Sequence, residues 1–310
     1  MAEAPIDLVQ TSSRVLPEER VMYRDRTPTE ALLAYCQRNP SVVVGLAMIL
    51  SLLLISVIGP LFIHTKSAEP LSALPALAPS REYPLGTDDQ GRDLLATLIV
   101  GLPDTLRIGF LAGAIGLGLG IVLGFLSGYI GGVVDAVIRI AVDTLLTVPG
   151  LLILITLAAS IKTFISVNIM ALVIASLAWR HPTRIIRAQV LTMRERAYVQ
   201  VARRSGMNTA EIIVRELLPN LFPFLAASFV GAVSGAILFS IGLEALGLGP
   251  QNQPTLGMTI YWSIRFNAIL RGMWWWWFPP IVALVVLFIG LLLLTIGLDE
   301  IANPRLRRVA

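Results

Sequence analysis

Residues 200–220, QVARRSGMNTAEIIVRELLPN, form a short polar segment between two long apolar runs. Gly206 suits the left-handed turn that ends a helix. Asn208, with Glu211 three residues later, predicts a capping box that begins another helix. We therefore expect a helix, a glycine turn and a second short helix over residues 208–216. The predicted apolar stripes are Ala197, Tyr198, Val201 and Ala202 on the first helix, and Met207, Ala210, Ile213 and Leu217 on the second. Two short helices are marginal alone in water, so some surface should cover these stripes.

The flanking sequence predicts a membrane protein. Of the 310 residues, 55% are hydrophobic and 14% are charged, whereas soluble domains carry about 25% charge. Several windows are long enough to cross a bilayer and contain no charge. The fold class predicted is an all-α polytopic membrane protein with six transmembrane helices, at about residues 42–63, 108–129, 134–159, 164–179, 221–243 and 278–298. The first apolar run is too long for a signal peptide and should remain as a span.

The distribution of basic residues predicts the orientation. Of the 24 Lys and Arg residues, 17 lie in the first 38 residues, at Arg139, in the stretch 180–215 or in the last ten residues. Basic residues stay on the cytoplasmic side. We therefore expect cytoplasmic tails at 1–40 and 301–310, a transmembrane domain at 41–300 with a cytoplasmic segment at 195–220, and no nucleic-acid partner. The run Trp274 to Trp277 should then be an anchor at the outer interface.

Small residues predict close helix packing in the second span. Glycines recur there at every fourth position, namely Gly116, Gly120, Gly124, Gly128 and Gly132. Such a stripe lets another helix approach closely. Gly231 and Gly235 repeat the pattern more weakly in the fifth span. The stripes indicate packing and do not identify a cargo.

Three charged residues share one face of the third span. Asp135, Arg139 and Asp143 stand four residues apart, so they either pair in sequence or form a polar wall of a pathway. Asp143 is one candidate pathway residue. Glu244, at the outer end of the fifth span, is the other, and it could meet a substrate ammonium or be a plain interfacial acid.

Several classes of function conflict with the residue inventory. The single cysteine, Cys36, excludes an internal disulfide framework and a zinc site built on cysteines. His64 and His181 are the only histidines and are predicted on opposite faces, so no metal site or catalytic residue is expected. Neither Lys66 nor Lys162 lies in a phosphate-binding loop, so ATP would have to bind another polypeptide. An ATP-independent channel or secondary transporter remains possible but leaves residues 195–220 unexplained.

The same segment resembles the coupling loop of binding-protein-dependent ABC import permeases. That loop reads Glu-Ala-Ala, three residues, Gly, and then Pro-Asn; here Gln200, Val201 and Ala202 precede Gly206, and Pro219 and Asn220 follow. Gln200 and Val201 depart from the pattern, as does Glu216, where the dipeptide and oligopeptide branch usually has His. Residues 84–95 (PLGTDDQGRDLL), 128–152 (GYIGGVVDAVIRIAVDTLLTVPGLL), 242–257 (GLEALGLGPQNQPTLG) and 274–280 (WWWWFPP) are similar to the second permease subunit of that branch.

The resemblance implies a type I ABC importer permease fold in the inner or plasma membrane. It also implies a second permease subunit, two ATPase subunits that carry ATP and magnesium, and an extracytoplasmic binding protein. This chain would bind no cofactor. The ATPase-coupling residues implied are Gln200, Val201, Ala202, Arg203, Ser205, Gly206, Met207, Asn208, Ala210 and Ile213. Dipeptides or oligopeptides are the expected cargo, and oligosaccharides, opines, nickel chelates and glutathione remain open alternatives.

Overall fold

The computed structural model of the chain describes residues 39–302, with side chains as far as residue 300. Cys36 and most of both predicted tails lie outside this part. It includes residues 39 and 40 of the N-terminal tail and the helical backbone of residues 301 and 302 of the C-terminal tail. Within it, ten α-helices follow one another, besides a short 3₁₀ helix at Thr65–Ala68. They are α1 (Pro40–Phe62), α2 (Leu94–Phe125, extended by the π-helical turn Leu126–Ile130), α3 (Gly132–Thr147), α4 (Gly150–Ser160), α5 (Val167–Ala178), α6 (Arg180–Met193), α7 (Ala197–Arg204), α8 (Thr209–Ala245), α9 (Leu256–Arg265) and α10 (Trp274–Ala302).

Four of these helices are long and apolar enough to cross a membrane. They are Pro40–Phe62, Leu94–Ile130, Thr209–Ala245 and Trp274–Glu300. Helices α3 and α4 are bent by 85° relative to each other. They make a fifth span if the bent pair is counted as a single span. The remaining predicted span, 164–179, corresponds to α5, which has only 12 residues. The described part of the chain is therefore an all-helical, multi-pass membrane domain.

Two predicted spans have the wrong limits. The third was predicted as one helix over 134–159, but the chain leaves the helix at Val148, where ψ is 132°. The next residue is Pro149, which disfavours helical geometry in the residue before it. The second span begins at Leu94 and not near residue 108, because Asp93 caps the helix by accepting from the Leu95 amide at 2.9 Å. Charges at Asp104 and Arg107 interrupt the apolar window without interrupting the helix.

Helix α6, whose arginines predict a position on the cytoplasmic side, lies along α2. Trp179 keeps helical dihedral angles (φ −73°, ψ −22°), so α6 follows almost directly from α5. The glycine stripe of α2 provides the packing surface. A Cβ atom added at Gly116 would lie 2.5 Å from the Cβ of Ala178, and one at Gly120 would lie 2.5 Å from the Cβ of Pro182. The two helices therefore run parallel in close contact.

The contact continues to the end of α2 and no further. Added Cβ atoms at Gly124 and Gly128 would each lie 2.9 Å from a side-chain carbon, of Ile186 and Val190 respectively. Gly132 has no neighbour within 4 Å, so the predicted fifth member does not belong to the stripe. Gly231 and Gly235 also face open space. Their pattern resembles that of α2, but they pack against nothing among the described residues.

One end of the domain is covered by residues 64–93 and by the tryptophan run. One carboxylate oxygen of Asp88 accepts from the amides of Gln90 and Arg92, both at 2.8 Å. Burial raises the pKa of this carboxyl above its ordinary value. Trp276 is completely buried and stacks near Phe266, with ring centroids 6.0 Å apart. The prediction of an interfacial anchor is wrong for Trp276, although Trp274 is exposed.

Candidate functional site

The segment 195–220, hereafter the coupling segment, contains the predicted glycine turn. Gly206 has φ +85°. Its amide donates to the Arg203 carbonyl at 3.2 Å, and the Met207 amide donates to the Ala202 carbonyl, also at 3.2 Å. This pair of bonds is the Schellman arrangement that satisfies the last carbonyls of a helix. Gly206 therefore ends α7 with a left-handed backbone that residues bearing a Cβ adopt only at a cost.

The capping box is confirmed, but the helix that follows it is not short. The Asn208 side chain accepts from the Glu211 amide at 2.8 Å, and the Glu211 side chain accepts from the Asn208 amide at 3.4 Å. The helix then runs from Thr209 to Ala245. A π-helical turn, Ile212–Leu217, comes just before Pro219. Proline clashes with the carbonyl four residues earlier, and a wider turn relieves such a clash. The coupling segment is thus continuous with a membrane span.

The apolar stripes of the coupling segment divide between an inner and an outer surface. Val199 and Ala202 are buried in a cluster with Ile212 and Leu217. By contrast Tyr198 and Val201 are exposed, Val201 by 62%. The first predicted stripe therefore does not form one buried face. Sequence reasoning missed Val199 and Ile212, although the spacing of Val199 and Ala202 was a readable signal.

The remaining predicted coupling residues surround the turn. Met207 and Ile213 pack partly against the protein's own cluster, so they are only partly available to a partner. The exposed members are Arg203, Ser205, Gly206, Asn208 and Ala210, while Gln200 is half-buried. Together with Tyr198 and Val201 they form a small surface of mixed character. An apolar centre with arginines beside it is suited to contact with another protein.

Two arginines contact the π-helical turn of α2, one just before the coupling segment and one within it. The Arg194 guanidinium donates to the Gly128 carbonyl at 3.0 Å. The guanidinium carbon of Arg203 lies 5.8 Å from the centroid of the Tyr129 ring, within cation–π range. A hydrogen bond with Tyr129 also raises the pKa of Arg203. These contacts hold the start of the coupling segment and α7 against the end of α2.

Asp135 has a different partner from the one that its spacing suggested. Arg187, on α6, binds it through two bonds, from Nε to Oδ1 at 2.5 Å and from Nη2 to Oδ2 at 2.7 Å. The Ser127 hydroxyl donates to Oδ1 at 2.5 Å. The predicted pairing of Asp135 with Arg139 is therefore wrong. The two-pronged ion pair joins α3 to α6 and to the end of α2.

The two candidate pathway acids occupy contrasting places. Asp143 is exposed and lines a small cavity of about 160 Å³ with Arg139 and Arg184. Glu244 has no exposed surface. Its carboxylate accepts from the Ser240 hydroxyl at 2.7 Å and the Thr255 hydroxyl at 2.8 Å. Glu244 is therefore neither an interfacial acid nor open to a cargo in this conformation, and it ties α8 to the start of α9.

Comparison with known proteins identifies the family. The model of the binding-protein-dependent transport system inner membrane component matches residues 120–308, which include the coupling segment. The chain belongs to this family. A probable peptide ABC transporter permease protein of Sinorhizobium fredii (strain NBRC 101917 / NGR234) is 30% identical to this permease, over 94% of the chain and 99% of that protein.

Two further relatives match the permease over more than two thirds of both chains. The dipeptide transport system permease protein of Alkalihalophilus pseudofirmus is 29% identical over 76% of each chain. The oligopeptide transport system permease protein of Mycobacterium tuberculosis (strain ATCC 25618 / H37Rv) is 29% identical over 69% of this permease and 74% of that protein. The family consists of membrane subunits of transport systems, not of enzymes.

The Asp135–Arg187 pair of the permease provides a first prediction. Asp135→Asn or Arg187→Gln should lower the free energy of unfolding by about 1–3 kcal/mol, between the values for exposed and buried pairs. The two side chains are 20% and 23% exposed, which places them between those limits. Thermal denaturation of the purified permease would measure the loss. The double variant should lose less than the sum of the single variants.

Arg184→Gln is the matched control, because Arg184 is an exposed arginine on the same helix and none of the described residues forms a salt bridge with it. Equal stability of Arg187→Gln and Arg184→Gln would contradict a structural role for the pair.

Proposed function

We propose that this chain is a transmembrane subunit of an ATP-driven, binding-protein-dependent importer of dipeptides or oligopeptides. The family supports the importer class, and the names of the relatives support a peptide cargo. The carrying observation is that α8 begins within the coupling segment at Thr209 and continues through a π-helical turn into its membrane-spanning part. A partner that moves α7 would act on this span through the Gly206 turn, whose backbone bonds and adjoining capping box hold α7 and α8 together.

The partners proposed are a second permease subunit, two ATPase subunits and an extracytoplasmic binding protein. ATP and magnesium would bind the ATPase subunits, and this chain would bind neither. The docking surface proposed for an ATPase comprises Tyr198, Val201 and Ala210, with Arg203 and Arg204 at its edge. The apolar members are exposed and the arginines can pair with carboxylates of a partner.

Uptake by the reconstituted complex tests this function. Vesicles would contain the permease, its partner permease and both ATPases. ATP would be supplied on the side of the ATPases and the binding protein on the opposite side. Labelled peptides should be transported only with ATP and with the binding protein. Uptake of oligosaccharides instead of peptides would identify a different cargo in the same importer class. Uptake of any solute without ATP would contradict the importer and favour a channel or a secondary transporter.

The orientation supplies a second prediction. Both tails and Gly206 should face the cytoplasm and Gln90 the outside, because basic residues concentrate on the first side. Single cysteines at positions 90 and 206, in a Cys36→Ser background, would be exposed to an impermeant thiol reagent added to intact cells. Position 90 should react and position 206 should react only after lysis. Reaction of position 206 from outside would reverse the proposed topology.

A further inference from the structure

A cavity of about 610 Å³ lies between α5, α6 and α8 and is bordered on one side by α10. This volume is within the range of sites for small ligands. The wall from α8 consists largely of small residues, among them Ala227, Ser228, Gly231 and Gly235. No atom lies within 4 Å of a Cβ atom added at either glycine, so this wall stands clear of the opposite one.

One charged residue of the cavity wall, Arg180, is almost completely buried. Arg180 is only 6% exposed. Nε donates to the Leu177 carbonyl at 2.9 Å, and Nη1 donates to the Leu145 carbonyl. Both carbonyls belong to the last turn of a helix, where the helix dipole favours a cation. These dipoles hold the guanidinium in place, but they do not cancel its net charge.

No carboxylate among residues 39–300 forms a salt bridge with Arg180. A buried charge without a counter-ion is costly, so a buried guanidinium favours an anionic partner. Gly150 adds to the positive potential, because it is the first residue of α4 and its N-cap residue provides no side-chain acceptor. A Cβ atom added at Gly150 would lie 2.7 Å from Nη2 of Arg180. A guanidinium beside a helix N-terminus favours an anion.

We propose that this cavity is a transit site for the peptide and that Arg180 binds its terminal carboxylate. This inference rests on the proposed peptide cargo. Arginine suits the role because its planar group can bind a carboxylate through two parallel bonds. Asp299 lines the same cavity and offers a counter-charge for the terminal ammonium. The small residues of α8 contact the peptide backbone without selecting among side chains, as transport of varied peptides requires.

Protection of a cysteine tests the site directly. Ser228 lines the cavity, and Ser228→Cys in the Cys36→Ser background would be labelled by a thiol reagent in the assembled complex. Trialanine should slow the labelling, whereas trialanine amide, which lacks the carboxylate, should need a concentration at least about tenfold higher. Adding Arg180→Gln should raise the half-protecting concentration of trialanine at least about tenfold and leave that of the amide unchanged. Adding Arg184→Gln, which removes an exposed arginine of the same helix, should change neither value.

Several results would overturn the proposal. Equal protection by trialanine and its amide would remove the role of the carboxylate, and this comparison needs no variant at Arg180, whose loss could impair folding. An unreactive cysteine at position 228 would mean that the partner permease fills the cavity. Uptake of trialanine by reconstituted vesicles separates the two levels of inference. Uptake without protection would refute only the transit site, and absence of peptide uptake would refute the peptide function with it.

Discussion

Gly206→Val should lower ATP-driven uptake at least about fivefold while leaving the amount of permease in the membrane unchanged. Gly206 has φ +85°, and a residue with a Cβ pays about 1–2 kcal/mol for a left-handed backbone. A cost of this size lowers the population of the left-handed turn, relative to other backbone conformations, by a factor of about 5 to 30. No atom lies within 4 Å of the added Cβ, so the effect comes from the backbone and not from a clash.

The expected consequence is a change in the angle between α7 and α8. The exposed face around Val201 would then no longer fit the ATPase, although the spans and the cavity would remain intact. Uptake and ATP hydrolysis would be measured together in vesicles that contain all partners. Uptake should fall at least about fivefold, and co-purification of the ATPase should weaken.

The matched control is Gly272→Val. Gly272 also has a positive φ, of +72°, and its added Cβ also meets open space, but it lies between α9 and α10. It carries a similar backbone cost far along the chain from the coupling segment. Wild-type uptake by Gly206→Val, or equal losses in the two variants, would refute the coupling role of the turn.

Gly120→Leu should prevent assembly of the folded permease. The first added carbon would already lie 2.5 Å from the Cβ of Pro182 and 3.1 Å from the amide nitrogen of Thr183. Neither neighbour is the free end of a flexible side chain, so α2 and α6 must separate. Overpacking of this kind costs about 1–3 kcal/mol and more when backbone is involved. The yield of monodisperse permease after size-exclusion chromatography would report the loss.

Gly118→Leu provides the control on the same helix, because a Cβ atom at Gly118 has no neighbour within 4 Å. It should assemble as the wild type does. Gly120→Ala should be intermediate, since the clash at Pro182 begins with the first carbon. Even a methyl group at Gly120 would therefore require α2 or α6 to shift. Equal yields from Gly118→Leu and Gly120→Leu would show that the stripe does not hold α6.

Local chemistry made much of the coupling segment predictable. Gly206 and the pair Asn208 and Glu211 act on backbone groups within five residues of themselves, so the turn and the cap could be read directly from the chain. The face of each helix that is buried could not be read from the chain in this way. Val199 is buried and Val201 exposed because the cluster that contains Ile212 and Leu217 lies on one side of α7, and two valines two positions apart do not reveal that side.

The sequence by itself determined the class of the protein, the places of its longest helices and the family of its motifs, because hydrophobic length and turn chemistry are local properties. Only the tertiary structure decided which charges meet. Asp135 pairs with Arg187, 52 positions away, and Arg180 reaches carbonyls at the ends of two helices. The glycine stripe predicted that another helix packs closely against α2 but did not show which one. The arginines of α6 made that helix hard to recognise as the partner from the sequence. Contacts between distant residues depend on how the helices pack, and packing is a property of the whole domain.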